Sequence, residues 1–264
     1  MPTPTTDPAW SADDLTHNPH AAPDKATRVE RMFAAIAPWY DFNNRVLSLG
    51  LDQRWRKVAV DMAKLGAADQ VLDIACGTGD LTLAMRDRLN RLNQGAGLVM
   101  GLDFTFSMLP FAEQKVPEEW RAADGWSGVG FGAADAMRLP LPDASFDVVS
   151  IAFGIRNVVD PAAAIGEFFR VLRPGGRVVI LEFATPRNPV FRLGNAVYCN
   201  HVLPLLATLI SRDRSGAYRY LPKSIATFTQ PEQLAEIGEK AGFTDPAIRR
   251  LTLGTAAVTR LTKP

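Results

Sequence analysis

The sequence is poor in the residues that build disulfide frameworks and metal centres. Its 264 residues include two cysteines, Cys76 and Cys199, and three histidines whose spacing fits no metal-ligand pattern. The formal net charge is +1, so no basic field indicates a nucleic-acid partner. Few cysteines fit a reducing compartment. We therefore expect a cytoplasmic protein with no disulfide framework, no metal and no nucleic-acid partner.

The sequence also lacks a long uninterrupted apolar run. Its most lipophilic region, residues 190–210, contains Arg192, His201 and Pro204 and is a poor membrane span. Three alternatives are open for this region: the wall of a tunnel, a surface resting on a membrane, or a core or dimer-forming helix pair. Residues 1–24 are rich in Pro, Thr, Ala and Asp, which predicts a disordered tail rather than a secretory signal. Residues 25–264 are then expected to form one domain.

Short apolar runs alternate with helical periodicity along most of the chain. Two amphipathic helices are predicted first, one before Pro38 and one before Gly66. A later helix is predicted to follow the capping pattern at 229–232, with two terminal strands near 247–252 and 255–261. Strands that alternate with helices predict a parallel sheet covered on both faces. Between the early and late helices the predicted strands are "QVLDIA", "LVMGLD", "GVGFGAADA", "FDVVSIAF" and "RVVILEF".

The stretch "VLDIACGTGD" carries a Gly-x-Gly turn, Gly77 and Gly79, at the end of the first strand. A dinucleotide fingerprint needs a third glycine where this chain has Thr82, whose branched side chain would obstruct helix–strand packing. Asp73 lies inside the apolar run and Asp80 opens the next helix. Acids here would repel a pyrophosphate and attract a cation. The pattern favours S-adenosylmethionine, with its ammonium and sulfonium, over NAD; a simple tight turn is the alternative.

Two further aspartates follow predicted strands. Asp103 ends the second strand, where its carboxylate could accept both hydroxyls of a ribose; a nicotinamide enzyme would use the same contact. Asp135 follows the third strand and could accept from an adenine amino group, while the backbone of Ala136 reads the ring edge. An ordinary loop aspartate is the alternative for Asp135.

Several motifs resemble class I S-adenosylmethionine-dependent methyltransferases: "VLDIACGTGDLT", "GLDFTFSML" and "RVLRPGGRVVILEF". Three more are similar to the C-methyltransferases of menaquinone and ubiquinone biosynthesis: "APWYDFNNRVLSLGLD", "FGIRNV" and "YRYLPKSI". The resemblance covers roughly Ala26 to Arg260. It implies an α/β, Rossmann-like fold: a seven-stranded, mostly parallel sheet with a reversed last strand, helices on both faces and a helical N-terminal extension. It also implies cofactor contacts at Thr78, Asp103, Met108, Asp135 and Ala136.

One position departs from that family. Ala152 stands after the fourth strand's isoleucine, where some members have serine. A side-chain hydrogen bond to the cofactor is therefore not expected there. The backbone of Ala152 could still contribute to the cofactor site.

The resemblance implies C-methylation of a polyprenylated quinol, demethylmenaquinol first and a ubiquinone-type benzoquinol second. Ionising a phenol at pH 7 costs about 4 kcal/mol, which a cation beside the oxygen would lower. We expect Arg156 to supply that cation, Asn157 to position the second oxygen, and Tyr40–Asp41, in a loop, to close over the cofactor. Two interpretations are open for Tyr218, Arg219 and Tyr220: the mouth of the substrate site, or ordinary packing at its edge.

Other interpretations of these residues are open. Arg156 and Asn157 could merely tie a loop to a neighbouring carboxylate. The chain could instead methylate another small molecule or a sterol, or serve as a non-catalytic scaffold. A homodimer and a peripheral contact at the inner face of the membrane are further alternatives.

Overall fold

A seven-stranded sheet forms the centre of the molecule, in the order β3-β2-β1-β4-β5-β7-β6. The computed structural model describes residues 8–11, 13–93, 97–120, 128–198 and 216–264. Strands β1 to β5 pair in parallel, and β7 runs antiparallel between β5 and β6. The predicted sheet with a reversed last strand is confirmed. The strands are β1 Gln70–Ile74, β2 Leu98–Asp103, β3 Val129–Ala133, β4 Phe146–Ala152, β5 Leu172–Phe183, β6 Thr244–Leu251 and β7 Ala256–Thr262.

Helices cover both faces of this sheet. Consecutive residues of a strand point to opposite faces, and both Val71 and Leu72 of β1 are fully buried. Leu72 packs in one cluster with Phe168, and Val71 packs in the other with Met85. The helices are α1 Lys25–Ile36, α2 Tyr40–Leu47, α3 Leu51–Ala63, α4 Asp80–Asn93, α5 Leu109–Gln114, α6 Pro161–Val171, α7 Pro189–Val197, α8 Ala217–Thr227 and α9 Pro231–Lys240.

The N-terminal extension is helical, as predicted, and its first helix ends at Ile36, just before Pro38. Tyr40 and Asp41 were expected in a loop after Pro38, and that expectation is wrong, because both begin α2. Pro38 lies in a short 3-10 turn, Ala37–Trp39. A proline near the start of a helical segment has no N–H to leave unpaired, so the chain continues into a helix.

The structure also differs from the predicted disordered tail. Residues 8–11 and 13–24 pack on the domain through two short 3-10 turns, Asp14–Thr16 and Pro19–Ala21. The indole of Trp10 is only 1% exposed. Composition averages over the segment and misses the burial that one large ring supplies. The prediction for residues 1–7 lies outside the described residues.

The apolar region at 190–210 is described only in part. Its first turns form α7, and residues 199–210 lie outside the described residues. Across the parts of the chain that the structure describes, no helix is long and apolar enough to cross a bilayer.

Candidate functional site

The Gly-x-Gly turn joins β1 to α4 with two left-handed residues. Gly77 has φ +55° and Gly79 has φ +82°. The N–H of Gly79 donates to the carbonyl of Cys76 at 2.9 Å and closes the turn. A Cβ on Gly79 would lie 3.0 Å from Cβ of Ala112 and 3.3 Å from the ring of Phe131. Glycine is therefore needed at 79 for both conformation and space.

Asp73 lies beneath this turn. Its carboxylate is 1% exposed and accepts from Thr82 Oγ1 at 2.6 Å and from Ser150 Oγ at 2.7 Å. Burial raises the pKa of Asp73 from 3.8 to about 6, although both hydroxyls oppose that shift. Asp73 was predicted to contact the cofactor; it is instead buried beneath the turn and is not among the residues that line the cavity at the end of the sheet.

The expected obstruction by Thr82 is wrong. Thr82 is fully buried at the contact between helix and strand, and its hydroxyl is one of the partners that Asp73 needs. Sequence reasoning missed Ser150. The sequence feature that could have indicated Ser150 is a hydroxyl residue inside the apolar run of β4, the strand that pairs with β1.

Asp103 connects β2 to the glycine turn. Its Oδ2 accepts from the N–H of Gly77 at 2.7 Å, and its Oδ1 accepts from the N–H of Thr105 at 2.7 Å. Asp103 is 8% exposed, and burial raises its pKa. The carboxylate therefore stands at the carboxyl edge of the sheet, beside the turn, as its place in the sequence predicts.

A small cavity opens at this edge, where the strands β1 to β4 end. Asp135 is held there by an N–H of Met137, which donates to Oδ1 at 2.9 Å. The structure thus brings together side chains and backbone that the sequence selects from five separate segments. Six of the predicted cofactor residues line this cavity: Gly77, Asp103, Met108, Asp135, Ala136 and Ala152.

Asp41 and Thr78 meet behind the turn. Thr78 Oγ1 donates to Asp41 Oδ1 at 2.6 Å, and Lys115 forms an ion pair with Asp41. Asp80 accepts from Lys115 Nζ at 2.8 Å and from Arg45 Nη2 at 2.9 Å. Asp80 therefore has cations of the chain itself as partners. The contacts of Asp41 anchor α2 to the turn, which differs from the expected mobile closure.

A larger cavity of about 610 Å³ adjoins the small one. Three aromatic residues, Phe33, Tyr40 and Phe153, line both. Its wall is mostly apolar and comes from α1, α2, α3, α7, α8 and the 3-10 turn Thr252–Gly254. Such a volume fits a drug-sized apolar ligand. Tyr220 lines this cavity, and so does the start of the 190–210 region, in agreement with the tunnel-wall interpretation.

Arg156 reaches the larger cavity from the loop after β4. It is 5% exposed, and its Nη1 donates to the Phe153 carbonyl at 2.6 Å and to Glu182 Oε1 at 2.8 Å. Burial raises the pKa of Glu182, while the charge of Arg156 opposes that shift. The ion pair with a neighbouring carboxylate, which the alternative interpretation of Arg156 requires, is thus present. Sequence reasoning missed Glu182; its signal was an acid inside the apolar strand β5.

Asn157 follows Arg156 and lines the small cavity. Its Nδ2 donates to the Phe153 carbonyl at 3.3 Å, and its Oδ1 accepts from the Tyr220 hydroxyl at 3.0 Å. The Arg156–Asn157 pair therefore stands where the two cavities meet.

The sequence of this chain is similar to those of a known family of methyltransferases. The model of the ubiE/COQ5 methyltransferase family matches residues 22–263. The demethylmenaquinone methyltransferase of Thermus thermophilus is 48% identical over 86% of this chain and 97% of its own. The demethylmenaquinone methyltransferase of Deinococcus radiodurans is 43% identical, and the match covers 89% of this chain and 92% of that protein. The ubiquinone/menaquinone biosynthesis C-methyltransferase UbiE of Geobacter sulfurreducens is 41% identical over 89% and 88%.

Solved structures share the fold. A methyltransferase in complex with the Haloferax volcanii Trm112 activator gives a TM-score of 0.62 at 18% identity, covering 88% of this chain and 97% of that one. The Haemonchus contortus phosphoethanolamine N-methyltransferase 2, in complex with S-adenosylmethionine, gives a TM-score of 0.57 at 16% identity. That match covers 79% of this chain and 52% of the other. The predicted fold class is confirmed.

Proposed function

The chain belongs to the ubiE/COQ5 methyltransferase family, and we propose that it transfers a methyl group from S-adenosylmethionine to a ring carbon of demethylmenaquinol. One observation carries the choice of substrate class. The carboxylate-edged cavity at the end of the sheet adjoins an apolar cavity of about 610 Å³. A quinol ring with the first part of an isoprenoid tail needs such an apolar volume beside the methyl donor. Relatives from Thermus thermophilus and Deinococcus radiodurans carry the name demethylmenaquinone methyltransferase.

The residues of the small cavity fit S-adenosylmethionine, which supplies an activated methyl group on a sulfonium. Each oxygen of Asp103 takes one backbone N–H and keeps lone pairs for ribose hydroxyls. Gly77 leaves the turn open, since a Cβ there would meet only Tyr40, at 3.8 Å. The cofactor's adenine would then lie against Asp135 and Ala136.

Arg156 favours ionisation of the quinol. A guanidinium at the meeting point of the two cavities would lower the cost of the phenolate, about 4 kcal/mol at pH 7. It is a poor proton acceptor, so water would take the phenolic proton. Methyl transfer would then break the bond between sulfur and the methyl carbon, and the ring proton would also pass to water. Glu182 holds this guanidinium in place from the buried side. Asn157 would position the second oxygen. Walls of Phe33, Tyr40 and Phe153 exclude water, so that the reactants stay aligned in an apolar site.

Replacing Arg156 tests that role. We expect Arg156→Lys to leave the dissociation constant of S-adenosylmethionine unchanged and to lower kcat, because a lysine cannot keep the geometry of the guanidinium fork. Arg88→Lys, at an exposed position of α4, is the matched control and should leave both constants unchanged. An unaltered kcat across the pH range in Arg156→Lys would remove Arg156 from the chemistry.

The reaction itself is tested with methyl-labelled S-adenosylmethionine and three acceptors offered separately: demethylmenaquinol, a polyprenyl benzoquinol and a sterol. We expect label on the naphthoquinol ring. Label on the benzoquinol alone would assign the chain to the ubiquinone-type reaction. Label in neither quinol, with folded and cofactor-bound protein, would reject quinol methylation, and label in the sterol would assign the alternative methyltransferase. A chain that does not bind S-adenosylmethionine would be the scaffold.

We further propose that the rim of the larger cavity rests on the membrane that holds a polyprenylated quinol. Four residues that line this cavity are apolar and exposed: Leu49 by 77%, Val190 by 74%, Leu253 by 66% and Phe191 by 42%. Apolar side chains around the mouth of an apolar cavity fit a surface that lies at the lipid interface.

Sedimentation with anionic lipid vesicles tests this contact. We expect Leu49→Asp with Leu253→Asp to reduce the bound fraction several-fold. Leu92→Asp, at an exposed position of α4, should bind as the wild type does. If the rim instead holds a second copy, light scattering would show a dimer that the rim substitutions dissociate, and vesicle binding would be absent.

A further inference from the structure

Residues 8–11 and 13–21, here called the strap, lie outside the family match at 22–263 yet cover the wall of the larger cavity. Trp10 and Tyr220 are each 1% exposed. Their rings stack with centroids 4.8 Å apart and planes inclined by 23°. Tyr220 belongs to α8 and lines the larger cavity. The strap therefore supports a side chain of the site from behind.

The strap is held in this position by several contacts. The guanidinium of Arg28 lies 5.3 Å from the centroid of Trp10 and pairs with Asp14 at 2.7 Å. Asp14 also accepts from the N–H and the hydroxyl of Ser11, at 2.9 and 2.6 Å. A Cβ on Gly216, before α8, would lie 2.2 Å from the carbonyl oxygen of Trp10. The backbones of strap and α8 thus approach each other as closely as a glycine allows.

A hydrogen bond connects the stacked rings to the loop after β4. The Tyr220 hydroxyl donates to Asn157 Oδ1 at 3.0 Å. Because Oδ1 accepts this bond, the orientation of the Asn157 amide is fixed and its Nδ2 is directed toward Phe153. Phe153 belongs to both cavities. Three side chains, Trp10, Tyr220 and Asn157, therefore connect the strap to the place where the cavities meet.

We propose that Trp10 is a positioning residue for methyl transfer: its ring fixes Tyr220, whose hydroxyl fixes the amide of Asn157. The inference rests on the proposed function, in which Asn157 positions the acceptor. Tyr220 lies at the edge of a cavity of about 610 Å³ yet is only 1% exposed, so the groups packed against its ring set its rotamer. The indole fills the space on its other side and leaves one orientation in which the hydroxyl reaches Asn157.

Single-turnover methyl transfer to demethylmenaquinol, with a double-mutant cycle, tests the chain of contacts. We expect Trp10→Ala and Tyr220→Phe each to lower the rate about five- to tenfold, the loss typical of one hydrogen bond. The double variant should fall no further than either single one, because both remove the same bond. Trp10→Phe keeps a stacked ring and should restore most of the rate. His17→Ala, on the exposed side of the strap, is the matched control.

Hydrogen exchange gives a second readout that needs no substrate. We expect faster exchange at residues 153–158 in Trp10→Ala, and no change in His17→Ala. If Trp10→Ala does not fold, Trp10→Leu keeps an apolar side chain without the ring and takes its place. Multiplicative losses in the cycle, or unchanged exchange at 153–158, would overturn the inference. Wild-type protein that methylates no quinol would instead reject the proposed function, while the exchange experiment would still decide the coupling.

Discussion

Asp73→Asn is expected to change how the stability of this protein depends on pH. The Asp73 carboxylate is buried, and its pKa is raised from 3.8 to about 6 in the folded state. A raised folded-state pKa means that the folded protein binds the proton more tightly than the unfolded chain. The contribution of Asp73 is therefore most favourable below pH 3.8 and is lost as the pH rises through 6.

The size of the effect follows from the two pKa values. The penalty for the ionised group grows from about 1 kcal/mol at pH 4.5 to about 3 kcal/mol at pH 7.5. An asparagine carries no charge at either pH. Its amide can accept from one of the hydroxyls of Thr82 and Ser150 and donate to the other. Relative to the wild type, Asp73→Asn should therefore gain about 2 kcal/mol of stability between these two pH values.

Urea denaturation of both proteins at pH 4.5 and 7.5 measures this difference directly. Carboxylates remote from Asp73 titrate alike in both proteins, and Asp103, whose charge raises the pKa of Asp73, is the one expected to titrate differently. Asp61→Asn, at an exposed position of α3, serves as the control and should follow the wild type. Parallel pH profiles for Asp73→Asn and the wild type would show that Asp73 carries no such penalty.

Three further substitutions have clear expected outcomes. Asp103→Asn should weaken binding of S-adenosylmethionine ten- to a hundredfold in calorimetry, because charge-assisted bonds to the ribose are lost; unchanged affinity would remove Asp103 from the cofactor site. Gly79→Ala should lower the free energy of unfolding by about 1–2 kcal/mol, because Gly79 has a positive φ and a Cβ there would lie 3.0 Å from Ala112. Gly166→Ala is the control: this glycine lies within α6 with open space around it, so the alanine should raise the free energy of unfolding slightly. Thr82→Val should cost about 1–3 kcal/mol in urea denaturation, since Asp73 loses a partner; a loss below 0.5 kcal/mol would contradict that contact's importance.

Periodicity predicts the central strands well because β1, β2 and β4 are short apolar runs that end near glycines or acids. The position of Asp103 at a strand end, and its meeting with Gly77, follow from parallel strands ending at one edge. Periodicity does not say which polar side chains satisfy each other across strands. Ser150 and Glu182 were missed for that reason, since each looks like an isolated exception in an apolar run.

Two segments show where composition misleads. Tyr40 and Asp41 were expected in a loop because Pro38 ends the first helix, but a proline is also suited to start a helical segment, and α2 follows it. Residues 8–24 have the composition of a tail, but their structure depends on Trp10 and its contact with α8, which is more than 200 residues away in sequence. Long-range contacts of single residues are not visible in local patterns.

A calorimetric titration with S-adenosylmethionine and with NAD most directly tests the claim that a carboxylate-edged, glycine-opened strand end selects a positively charged nucleoside. We expect saturable one-to-one binding of S-adenosylmethionine and no measurable heat from NAD at the same concentrations. Binding of NAD with no binding of S-adenosylmethionine would contradict the assignment of the site, and the proposed methyl transfer with it.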